Sequence, residues 1–94
     1  MRVRWLRTAL HDLASEIDFI AADNPEAAAR VSLRIRASVE RLAEFPEMGR
    51  AGRVPLTREL VVAGTPWIVI YRAGTSVEIL RVLHASQRWP PRRQ

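Results

Sequence analysis

Cysteine and lysine are both missing from this 94-residue chain. Without thiols there is no disulfide framework and no thiolate metal site, which sets aside small secreted scaffolds and points to the cytoplasm. The two histidines, His11 and His84, lack the spacing of a metal pair, so neither a metal nor a cofactor is expected. Long apolar runs are also lacking. Nothing approaches the ~18 consecutive residues of a membrane helix, and the opening segment meets Asp12 before any stretch of signal-peptide length. Glycine is scarce, and no phosphate-cradling glycine loop is present. Ser15, Ser32, Ser38, Ser76 and Ser86 have no nucleophile-elbow context. Conventional hydrolase and nucleotide-binding motifs are therefore absent.

What the chain has instead is arginine. All 15 basic residues are arginines, set against 10 acidic ones, for a net charge of +5. A small cationic domain suits an anionic partner, either nucleic acid or an acidic protein segment. Guanidinium favours bidentate, specific pairing with carboxylate or phosphate over diffuse attraction. Apolar content of 48% is that of a globular chain, and the length allows one core.

Periodicity then orders the chain. Arg2 and Arg4 alternate with Val3 and Trp5 as a short strand. From Leu6 the period changes: Leu6, Leu10, Leu13, Ile17 and Ile20 make one apolar stripe on a helix ending near Ala22. Asp23 or Asn24 can cap the next helix, Pro25 suits its first position, and Glu26 complements its dipole. That second helix carries Ala28, Val31, Ile35, Val39 and Leu42 on its buried side, so the two helices form an antiparallel hairpin. The run 44–55 is the only substantial loop. Strands follow at 57–63, 67–72 and 77–83, joined by short glycine-containing turns into an antiparallel meander. The expected fold is α+β: a two-layer β-α-α-β-β-β domain over residues 1–90, with the helix hairpin packed on a mainly antiparallel sheet. A basic tail, 91–94, follows, and the end from Arg88 has little to bury.

Arg81 is the puzzle, because it stands inside an apolar strand between Leu80 and Val82. An unpaired buried guanidinium would cost several kcal/mol. Strict alternation puts Ile79, Arg81 and Leu83 on one face and Glu78, Leu80, Val82 and His84 on the other. If helices cover one face, the other can hold a cationic surface of Arg58, Arg81 and Tyr71 or Arg72. The structural alternative pairs Arg81 with Glu16 or Glu40 and Arg58 with Glu78.

The closing "RVLHASQRW", the run "FPEMGRAGR" followed by "TRELVV" and "WIVIYR", and the opening set Trp5, Ala9, Asp12, Leu13, Ile17, Phe19 and Ile20 resemble ParE toxins of the RelE/ParE superfamily. The resemblance implies the toxin of a type II toxin–antitoxin module of plasmid-stabilisation type. Such a toxin is neutralised by a ParD-like antitoxin whose C-terminal segment folds onto it in a hetero-oligomeric complex, with no membrane involved. It implies inhibition of DNA gyrase with no catalytic residues. The alternative is a ribosome-dependent mRNA endonuclease of RelE type, for which Arg58 and Arg81 would hold phosphate while Tyr71 or His84 moved protons. RelE-like nucleases often use several lysines and an aromatic acid/base group near the chain end. Here there is no lysine, and Trp89 cannot transfer protons, so the ParE-like reading is preferred. Arg34, Arg41, Arg58, Arg81 and Trp89 are the expected antitoxin contacts.

Overall fold

The computed structural model describes residues 1–91; Arg92, Arg93 and Gln94, and with them most of the expected basic tail, lie outside the described residues. The elements run β1 (Val3–Trp5), α1 (Arg7–Asp23), α2 (Pro25–Arg41), β2 (Arg50–Ala51), β3 (Arg58–Val61), β4 (Trp67–Ala73) and β5 (Val77–His84). Their five-stranded sheet has the order β1-β5-β4-β3-β2, with β1 parallel to β5 and the other pairs antiparallel.

The helix break at 23–25 works as its residues dictate. The Asn24 side chain accepts the Ala27 N–H at 3.0 Å, and Pro25 takes the first turn, where it has no N–H to leave unpaired. Most of the α2 stripe is buried as expected: Ile35, Val39 and Leu42 join Trp67, Val69, Tyr71, Val77, Ile79 and Val82 from the sheet, Val31 is partly buried against them, and Ala28 is buried. On α1 the expectation needs correcting. Leu10 is half exposed, and the fully buried residue of that turn is Ala9. Its methyl side chain lets α1 lie close against β5, where Thr8 Oγ1 donates to the Leu80 carbonyl at 3.0 Å.

The last strand departs from strict alternation. Tyr71 pairs with Ile79 but Ile70 pairs with Arg81, so Leu80 has no counterpart on β4. This β-bulge reverses the face assignment beyond it. Val77 and Ile79 face the helices, and after the bulge so does Val82, while Arg81 and Leu83 turn to the outer face with Ile68 and Ile70.

The backbone is strained at Leu56. Val54 to Thr57 form a turn closed by the Thr57 N–H donating to the Val54 carbonyl at 3.2 Å, with Pro55 second and Leu56 third. Leu56 has φ 68°, the left-handed value that glycine or asparagine ordinarily supplies in this turn. A leucine there costs on the order of 1 kcal/mol, and at 93% exposure its side chain recovers nothing from the core.

Candidate functional site

The residues named from sequence fall into separate settings. Arg58 and Tyr71 are register partners at one end of the sheet, on the helix-facing side. Tyr71 is fully buried; its hydroxyl donates to the Pro46 carbonyl at 2.8 Å and accepts the Gly49 N–H at 2.9 Å. Burial pushes the phenol above its ordinary pKa, against the Gly49 N–H and the nearby Arg58 charge, which favour the phenolate. Arg58 Nη1 donates to the carbonyls of Gly49 at 2.8 Å and Glu47 at 3.3 Å. These two side chains therefore pin the loop after α2. Gly49 is required there, because a Cβ would lie 2.7 Å from the Tyr71 ring. The expected pairing of Arg58 with Glu78 is not formed: Glu78 binds Arg72 Nε at 2.6 Å.

Arg81 has an internal partner, and it is neither Glu16 nor Glu40. Its Nε and Nη2 donate to the two Asp12 oxygens at 2.7 and 3.1 Å, and Asp12 also accepts the Val82 N–H at 3.0 Å. The bulge frees that N–H, since β1 pairs only with residues 77–79. One carboxylate on α1 thus caps the exposed edge of β5 and fixes the guanidinium beside it, which raises the arginine's already high pKa. Trp89 lies on the other side of the guanidinium, with its ring centre 5.7 Å from Cζ. The Trp89 carbonyl accepts Arg53 Nη1 at 3.1 Å. The chain end through Trp89 is therefore tied to the outer face, contrary to the expectation that it had little to bury.

The cationic surface expected of Arg58, Arg81 and Tyr71 or Arg72 does not form as one patch. The register divides it: Arg58 and Tyr71 lie on the helix side, Arg72 and Arg81 on the other. The middle of the outer face is held instead by Glu59, 2% exposed, which sequence reading passed over. It accepts Arg50 Nη2 at 3.0 Å and the Arg53 N–H at 2.9 Å. Burial works against its ionisation, but the Arg53 N–H and the Arg50 guanidinium outweigh it and hold the carboxyl below the ordinary value. Two residues of β2, too short to be read as a strand, exist because Arg50 pairs with Glu59 in register.

His84 ends β5 and borders one recess with the outer-face residues Arg53, Glu59 and Trp89. Its Nδ1 is bound by the Ser86 N–H at 3.0 Å, its ring meets Trp67 edge-on at 4.8 Å, and it lines a shallow recess with Glu16, Phe19 and Gln87. Arg34 and Arg41 are exposed on α2. Arg34 Nη1 donates to the Ala63 carbonyl at 3.2 Å beside the β3–β4 turn, and Arg41 borders a largely apolar recess that Phe45, Pro46 and Met48 form with Glu44 and Glu47. Among the described residues no group of three or more His, Asp or Glu side chains could hold a metal ion, and no helix is long and apolar enough to cross a membrane.

Comparison with known proteins gives matches over nearly the whole chain. The family model described as ParE toxin of type II toxin-antitoxin system, parDE, matches residues 3–89. A toxin named Y4kP from Sinorhizobium fredii is 51% identical over 89 residues, covering 95% of this chain and 93% of its own. Toxin RelE2 from Caulobacter vibrioides is 41% identical over 86 residues, covering 92% and 97%. Among solved structures, a chain of the chromosomal ParDE toxin–antitoxin system from P. aeruginosa superposes with a TM-score of 0.81 at 28% identity, covering 89% of this chain and 95% of that one. A chain of the toxin–antitoxin complex RelBE2 from Mycobacterium tuberculosis gives 0.60 at 27% identity, with 88% of each covered.

Proposed function

Because the chain belongs to the ParE toxin family of type II toxin–antitoxin systems, we propose that this toxin acts by stoichiometric binding to DNA gyrase in the cytoplasm and performs no chemistry itself. The observation that carries this reading is the employment of the would-be nuclease groups inside the fold. A general acid or base must reach the proton it moves, and the Tyr71 hydroxyl is buried between two backbone groups of the loop. Both guanidiniums that could hold a phosphate, Arg58 and Arg81, already have internal acceptors. The recesses that His84 lines with Glu16 and with Trp89 include neither Arg58 nor Arg81.

A ParD-like antitoxin is the proposed neutralising partner, in keeping with the two solved toxin–antitoxin systems that this chain resembles. Arg34 and Arg41 offer α2 to an acidic amphipathic segment, and exposed Leu33, Phe45 and Met48 supply the apolar contact. Arg58 would act behind that surface, as the strut of the loop that bears Phe45 and Met48, whereas Arg81 and Trp89 lie on the outer face, away from it. In a supercoiling assay, the purified chain is expected to inhibit gyrase at near-equimolar concentration, and added antitoxin to restore activity. Unaffected supercoiling at large toxin excess would remove gyrase as the target.

A further inference from the structure

We propose that Leu56, with Arg4 and Arg72 beside it, is the contact through which this toxin engages its protein target, on a surface separate from that of the antitoxin. The inference rests on the reading of the chain as a binding toxin. Leu56 is an apolar side chain, 93% exposed, at a left-handed backbone position. Glycine or asparagine would close the same turn without strain. Neither the backbone nor the core gains from the leucine, and a strained position kept without internal return points to a contact outside the chain.

The surroundings define that contact. Leu56 overhangs an open cleft of about 420 Å³ lined by Arg4, Arg72, Glu78 and the turn at 73–76. The register places Glu78 between Arg4 and Arg72 on the outer face. Glu78 is held by Arg72, and among the described residues Arg4 has no ion-pair partner. A projecting aliphatic group beside an uncompensated cation fits a protein surface with an apolar recess and a flanking carboxylate. A nucleic-acid backbone would be met by a track of cations and has no recess for leucine. The recess beside Arg41 shares no lining residue with this cleft, and Arg34 stands elsewhere on α2, so target and antitoxin need not compete for the same side chains.

The test compares variants by growth arrest at matched protein level, by thermal unfolding and by co-purification with the antitoxin. Leu56→Asn keeps the left-handed turn and removes the aliphatic group. It is expected to need roughly tenfold more protein for arrest, a difference of about 1.4 kcal/mol in binding, while its unfolding midpoint rises by roughly 2–5 °C and antitoxin capture is unchanged. Leu56→Met should retain arrest, and Arg4→Glu should weaken it by roughly three- to tenfold. Undiminished arrest by Leu56→Asn, or loss of antitoxin capture in its place, would overturn the assignment. A supercoiling assay on the same proteins keeps the two readings apart. A wild type that arrests growth but spares gyrase refutes the target, while the Leu56 comparison still stands or falls on arrest.

Discussion

Replacing Glu59 by alanine is expected to lower stability by about 3 kcal/mol, because a buried carboxylate that accepts one charge-assisted and one backbone hydrogen bond is removed at once. Arg50 and Arg53 are about half exposed, at 58% and 54%, and can return to water. The uncompensated loss is chiefly the Arg53 N–H and the anchor of β2. For a domain of this size the shift corresponds to roughly 12–20 °C in unfolding midpoint. The same carboxylate sets an acid limit. Its pKa in the folded chain lies below the ordinary value, so its contribution is fully present above about pH 4.5 and fades as the pH falls through the folded value. Glu59→Gln should flatten that acid dependence. A Glu59→Ala chain that unfolds at the wild-type temperature would show that the outer face is held by other means.

Removing Asp12 is expected to cost about 2 kcal/mol, a figure reduced for partial solvent screening. The Arg81 side chain is 33% exposed and that of Asp12 15%. Asp12→Ala strands the Val82 N–H at a sheet edge and leaves Arg81 with Trp89 alone. In a double-mutant cycle with Arg81→Ala, the coupling should exceed about 1 kcal/mol and survive moderate salt, since two short hydrogen bonds join the pair. A coupling near zero would mean that Arg81 is available to a partner after all.

Much of the architecture was legible from spacing. The α2 stripe follows from the 3.6-residue period, and the Asn24–Pro25 restart from capping chemistry. The misses share one cause: each depends on contacts distant in sequence. Leu80 has the same alternation signal whether or not it bulges, and the pairing that ejects it lies on β4. Asp12 lies 69 residues before Arg81 and off the apolar stripe, so nothing local marks it as the partner. The strand β2 is two residues inside a glycine-bearing loop and is specified by Glu59 rather than by its own propensity. The strain at Leu56 was foreshadowed by Val54-Pro55, which favours a turn, but the chain carries leucine where such a turn ordinarily uses glycine or asparagine.

In a toxin that only binds, the cations and proton carriers that could have formed a nuclease are structural parts of the fold. Ribosomes programmed with a defined message and incubated with excess purified toxin test that most directly. The message is predicted to stay full length on primer extension, with His84→Gln giving the same result as wild type. Discrete codon-phased cuts that His84→Gln abolished would contradict it.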